Sequence, residues 1–249
     1  MLHAGSLAPL FFLLLALTAP AVSQAPDRPP QDPAPVPLTQ EQLGDLAMLR
    51  QQYVAAIDFY RRGPQNSATI WNKLGMAWHH LFAMDEARRD YEHALALRPD
   101  FPEALNNLGA VYYARKNYGK AVKLYRKAVA LDPTSAPMYS NLGTAYLAER
   151  KTRLGLAAYQ KAFALDPAVF EDSALLVDEV MPATARAQQD YCIARVFAES
   201  GKLGEALDYL RRALNEGFAD RKKLFQDGTL SSLRATPEFS RLLTEMRLP

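Results

Sequence analysis

Between residues 68 and 169 apolar side chains recur at helical spacing, and the whole pattern returns every 34 residues. Trp71, Leu74 and Trp78 surround Gly75; Leu105, Leu108 and Tyr112 surround Gly109; Tyr139, Leu142 and Tyr146 surround Gly143. A second apolar stripe follows each of these: Ala87, Tyr91 and Ala94, then Ala121, Tyr125 and Ala128, then Tyr159 and Ala162. Pro99, Pro133 and Pro167 close the units, since proline cannot continue a helix. The pattern predicts three helical hairpins, at 68–101, 102–135 and 136–169. Only Gly or Ala fits where the two helices of a hairpin cross closely, and bulky side chains fill the grooves on either side. In the third unit Gly155 stands where Ala87 and Ala121 stand. Glycine inside a helix costs about 1 kcal/mol relative to alanine, so Gly155→Ala is expected to be neutral or stabilising.

The flanks are patterned differently. Leu43, Leu46, Leu49, Tyr53, Ala56, Ile57 and Tyr60 recur at helical spacing behind Thr39-Gln-Glu-Gln42, which has the form of a capping box. This predicts one long helix over Thr39–Arg62, ended by Gly63-Pro64, so that 39–65 caps the first hairpin. Glu171–Val180, closed by Met181-Pro182, breaks the period, and 170–186 reads as an irregular insertion. The pattern resumes in a degenerate fourth unit, 187–220, with Ala194 standing 51 residues after Gly143. Residues 221–249 read as closing helices, with Thr236 as a cap and Pro237 at the first helical position.

Position by position the three units resemble the tetratricopeptide repeat, whose pattern is W-x2-L-G-x2-Y…A-x3-F…P. The late, offset unit and the Arg-x-x-Pro-Glu-Phe-x-x-Leu-Leu tail are similar to uncharacterised exported bacterial members of that family. The resemblance implies an all-α fold: a right-handed superhelical stack of helix-turn-helix units with capping helices at both ends.

Composition adds an address. Leu7–Ala19 is an apolar run of signal-peptide length, with small residues Ala21 and Ser23 placing a cut before Gln24. Residues 1–23 are therefore expected to direct export to the periplasm or beyond, although Met1–Ser6 has no Lys or Arg. Six prolines follow in 24–38, which reads as a semi-rigid spacer. The run is too short for a membrane span. A net charge of +2 over 249 residues calls for neither nucleic acid nor an anionic membrane. Cys192 is the only cysteine, so no intrachain disulfide can form, and its apolar setting reads as core.

No catalytic or cofactor motif accompanies the repeats. His79 and His80 are adjacent and cannot share a metal on one helix face. Ser200-Gly201-Lys202 lacks the upstream glycine of a phosphate loop. The chain is expected to be no enzyme, to need no cofactor or metal, and to bind a protein or an extended peptide.

Stacked hairpins place their first helices on a concave side. The spacing aims Asn72, Lys73, Met76, His79 and His80 inward from the first unit, and Glu103, Asn106, Asn107, Ala110 and Tyr113 from the second. Ser140, Asn141, Thr144 and Leu147 follow from the third. By the resemblance, stacked asparagines hold a peptide backbone. Asn107 and Asn141 match that ladder and Lys73 breaks it; a solvated or locally hydrogen-bonded role is the alternative. Met76, Ala110 and Thr144 stand where a carboxylate clamp needs polar residues, so a peptide carboxylate is not the favoured ligand. The basic run Arg115, Lys116, Lys120, Lys123, Arg126 and Lys127 falls largely on a second helix, facing outward. It reads as a solvated face, with a structural or assembly role through the outer face or lead helix as the competing function.

Overall fold

The computed structural model describes residues 37–170 and 183–246. The expected leader 1–23, nearly all of the proline-rich stretch and the segment 171–182 lie outside the described residues.

Among the described residues ten helices pair into five hairpins. The first is α1 (Gln40–Leu49) with α2 (Tyr53–Arg61). The three predicted units follow as α3 (Ala68–His80) with α4 (Met84–Leu97), α5 (Pro102–Ala114) with α6 (Tyr118–Leu131), and α7 (Ala136–Ala148) with α8 (Thr152–Leu165). The fifth joins α9 (Ala183–Glu199) to α10 (Leu203–Asn215), so α9 begins inside the stretch expected to be irregular. Each second helix packs on the first helix of the next hairpin, and α3, α5 and α7 also touch one another in series. The fold is a helical stack, with no strand among the described residues.

The lead segment is corrected: it is a hairpin, not one helix. The break falls at Gln51, whose backbone is left-handed at φ 58°. Gln52 N–H then bonds the Ala47 carbonyl at 2.8 Å, the six-residue closure of a Schellman turn. The same closure recurs at Ala83 to Trp78 (3.0 Å), Asn117 to Tyr112 (2.9 Å), Lys151 to Tyr146 (2.8 Å) and Lys202 to Phe197 (3.0 Å). Its left-handed residue is Phe82, Lys116, Arg150 or Gly201. In the first four hairpins that residue is not glycine, so nothing in the sequence of the lead segment marks a break.

Each of these four hairpins buries one tyrosine at its crossing, Tyr60, Tyr91, Tyr125 or Tyr159, opposite Gly44, Gly75, Gly109 or Gly143. Gly44 precedes Gly75 by 31 residues rather than 34, the shortfall lying in the loop at 62–67. The capping box forms: Gln42 N–H bonds Thr39 Oγ1 at 3.2 Å and Thr39 N–H bonds Gln42 Oε1 at 2.9 Å.

The other end is closed by α11 (Arg221–Gln226), a 3-10 turn at Gly228–Leu230, α12 (Ser231–Arg234) and α13 (Pro237–Glu245). Leu224, Leu230, Leu233, Phe239 and Leu242 bury their side chains in one cluster with α9 and α10. Asp227 holds this cap in place, accepting from Tyr191 Oη at 2.7 Å and pairing with Arg195 at 2.9 Å. Cys192 is wholly buried, and burial pushes its thiol up.

Candidate functional site

The residue following each repeat glycine lies next to the buried tyrosine of its own hairpin. In the first hairpin Asp45 accepts from the Tyr60 hydroxyl at 2.8 Å. In the fourth, Thr144 Oγ1 meets the Tyr159 hydroxyl at 2.9 Å. In the two hairpins between, that position is Met76 and Ala110, neither of which answers a phenol as carboxylate or hydroxyl does. Tyr91 and Tyr125 are almost fully buried, and neither hydroxyl has a hydrogen-bond partner among the described residues. Burial pushes both phenols above the ordinary tyrosine value, so both are neutral.

Tyr91 and Tyr125 form the floor of a cavity of about 220 Å³. Its walls are Met76, Phe82, Met84, Ala110, Tyr113 and Ala114, with His79 and His80 at one side. Asn106, Asn107, Asn141 and Thr144 complete the lining. No Lys, Arg, Asp or Glu belongs to it. Burial lowers both histidines, and the adjacent His80 lowers His79 further, so both imidazoles are neutral at pH 7. Phe82 is 61% exposed in the left-handed conformation (φ 57°), an outlier for a bulky side chain.

Of the predicted inward residues, the cavity brings together Met76, His79, His80, Asn106, Asn107, Ala110, Tyr113, Asn141 and Thr144. Asn72, Lys73, Glu103, Ser140 and Leu147 do not line it. Lys73 points to the lead hairpin, where its ammonium lies 2.7 Å from both Glu41 and Asp45. Asn72 and Ser140 are buried, and the Ser140 carbonyl accepts from Thr144. The asparagines form one chain across three helices. Asn141 Nδ2 donates to Asn106 Oδ1 (3.0 Å), Asn106 Nδ2 to Asn107 Oδ1 (3.4 Å), and Asn107 Nδ2 to Asn72 Oδ1 (3.1 Å). Spare donors and acceptors remain at Asn106 and Asn141, because a side-chain amide has two N–H groups and two lone pairs.

Tyr91, Tyr125, Phe82 and Met84 were not among the predicted groove residues. Tyr91 and Tyr125 read as core because they fall on the second helices, and they are core; their hydroxyls also open on the cavity. The signal was in the sequence, in the residue after each glycine: Asp45, Met76, Ala110, Thr144.

On the opposite side, Lys123, Arg126 and Lys127 are exposed on α6, a helix without any acidic residue. Among the described residues no carboxylate reaches ion-pair distance of these three. Lys120 instead lies over the Tyr112 ring at 3.9 Å, and Arg115 pairs with Asp85. Among the described residues no helix is long and apolar enough to cross a membrane, and no group of three or more His, Cys, Asp or Glu could hold a metal ion.

Residues 67–98, 102–135 and 136–169 match family models described as tetratricopeptide repeat, and 83–115 matches one described as TPR repeat. No curated protein matches the chain. Among solved structures the chain is similar to MamA 41-end from Desulfovibrio magneticus RS-1, at 20% identity over 73% of this chain and 95% of that one, with a TM-score of 0.51. It is likewise similar to a crystal structure of MamA, at 20% identity over 70% and 94% of the two chains, with a TM-score of 0.50. At such identity the likeness is one of fold.

Proposed function

The chain is a tetratricopeptide-repeat protein over residues 67–169, and from that premise we propose that it is a non-catalytic interaction module that lays an extended, uncharged segment of a partner protein along α3, α5 and α7. The observation that carries the reading is the uncharged cavity crossed by amides from consecutive first helices, with free hydrogen-bonding capacity at Asn106 and Asn141. Side-chain amides suit a polypeptide backbone, which offers alternating donors and acceptors. A lining without cations gives a terminal carboxylate nothing to pair with. Export through residues 1–23, with cleavage before Gln24, belongs to the same reading; the intact mass of the protein recovered from its host tests it.

The function itself is tested by affinity capture from the native compartment with mass spectrometry. Asn106→Ala with Asn141→Ala is expected to remove the partners that the unaltered chain retains, while Lys123→Glu with Lys127→Glu keeps them. The reverse result supports the second reading, an assembly subunit docking through its outer face. The acid-free basic surface of α6 is what favours that alternative.

A further inference from the structure

We infer that the cavity over Tyr91 and Tyr125 is a subsite for one tyrosine side chain of the partner segment. The inference rests on the groove reading and specifies its anchor. Three observations carry it. First, the cavity of about 220 Å³ exceeds the ~150 Å³ of an engineered apolar cavity that takes benzene, so a six-membered ring with one substituent fits. Second, its walls are the thioethers of Met76 and Met84 and the rings of Phe82 and Tyr113, which favour an aromatic occupant through sulfur–ring and ring–ring contact. Third, the hydroxyls of Tyr91 and Tyr125 reach this floor without a partner, whereas Tyr60 and Tyr159, at the same position in flanking hairpins, have one. Neither hydroxyl oxygen is shut off from solvent, so each opens on the cavity, where a ligand hydroxyl can replace water.

A phenol is the group that fits all three. Its hydroxyl both donates and accepts, so it can answer a tyrosine hydroxyl in either sense, whereas an indole N–H only donates and a phenylalanine ring does neither. A carboxamide serves the hydroxyls but sets polar atoms against the methionine walls. A charged side chain finds no counter-charge in the lining. The amides of Asn106 and Asn141 lie beside the cavity and hold the backbone on either side of the inserted ring.

The test uses the full chain and two capped, uncharged pentapeptides, acetyl-Ser-Gly-Tyr-Gly-Ser-amide and its phenylalanine counterpart, with p-cresol as the free phenol, all titrated by calorimetry. The tyrosine peptide is expected to bind about tenfold more tightly than the phenylalanine peptide. That preference is expected to vanish in the Tyr91→Phe/Tyr125→Phe double variant, with phenylalanine-peptide binding unchanged. A second variant needs no loss of a core group. Ala110→Thr gives Tyr125 the partner that Thr144 gives Tyr159, and is expected to cut the preference while retaining the fold by circular dichroism. Equal affinity for the two peptides, or a preference that survives the double variant, overturns the inference. Binding of p-cresol as tight as that of the tyrosine peptide overturns the polypeptide occupant and leaves a free phenolic ligand. Failure of every probe removes the subsite. Partner capture that still depends on Asn106 and Asn141 would then leave the groove standing without it.

Discussion

A methyl group built on Gly109 would lie 2.7 Å from Cε1 of Tyr125, closer than a real Cβ approaches a ring. The same relation holds for Gly75 with Tyr91 and for Gly143 with Tyr159, and the two partners are always 16 residues apart. In the fifth hairpin the pair at that spacing is Ala194 and Leu210, both fully buried. The methyl has moved onto the first helix and the ring has shrunk, so the crossing keeps its volume. Gly109→Ala is therefore expected to lower stability by about 1–3 kcal/mol through overpacking, against the ~1 kcal/mol gained in helix propensity. Adding Tyr125→Leu should recover part of the loss, a coupling that urea denaturation of the double-mutant cycle measures. Gly204 supplies the contrast, since nothing stands within 4 Å of its added methyl. Gly204→Ala is expected to raise stability by about 0.4–1 kcal/mol.

Gly155 behaves as the crossing glycines do, contrary to the expectation from helix propensity. An added Cβ meets Leu147 Cδ2 at 2.7 Å, Leu147 Cγ at 2.9 Å and the Gly143 carbonyl oxygen at 3.1 Å. Leu147 itself lies in the core shared with α9, which limits how far it can yield. Gly155→Ala is expected to lower the melting temperature, by a net of about 1 kcal/mol once helix propensity is subtracted. Leu147→Ala in the same chain should make Gly155→Ala neutral or stabilising. A rise in melting temperature on Gly155→Ala alone would show that the tighter crossing has room after all.

The period carried the architecture because every hairpin solves one packing problem with residues at fixed offsets, and those residues are distinctive in size. What it hid were features the period does not encode. The break at Gln51 is set by backbone conformation in a turn whose residue is Gln, Phe, Lys or Arg in successive units. Gly44 and Tyr60 carry the motif in full, yet the loop shortened by three residues removes their period with Gly75. The clash at Gly155 comes from Leu147, where the preceding units have His79 and Tyr113, and no composition rule ranks those side chains by direction. At the candidate site the asparagines were readable as inward-facing, but their mutual bonding was not, since it depends on the distance between neighbouring helices.

Asp90 sits against α3, and burial raises its carboxyl to about 6, with Arg61, Arg89 and His93 opposing the shift. A carboxyl whose folded value exceeds its ordinary 3.8 holds its proton more tightly in the folded state. Its contribution is complete below pH 3.8 and is lost as pH rises through about 6. At pH 7.5 the ionised group opposes folding. Asp90→Asn is therefore expected to raise the melting temperature at pH 7.5 and to bring little or no gain at pH 4. Thermal scans of both chains across that range check the sign: a benefit independent of pH would place the carboxylate in a well-solvated setting.

Lys73 stands at a predicted groove position, yet its ammonium bridges Glu41 and Asp45 on α1, and Asp45 also accepts from the Tyr60 hydroxyl. One cation thus ties the first repeat to the lead hairpin across 28 residues of chain. Burial alone would lower its pKa, but the two carboxylates raise it overall, so the ammonium stays charged. These side chains are partly exposed, and each such pair contributes at most about 1 kcal/mol, less at high salt. Lys73→Met is expected to lower global stability by about 1 kcal/mol at low salt, the loss shrinking as salt is added. Its local signature should be faster amide exchange in Gln40–Leu49, with exchange in Pro102–Ala114 unaltered. Partner capture should survive the substitution. If Lys73→Met abolished capture while exchange in α1 stayed slow, the ammonium would be acting on the ligand and the groove would extend to the lead hairpin.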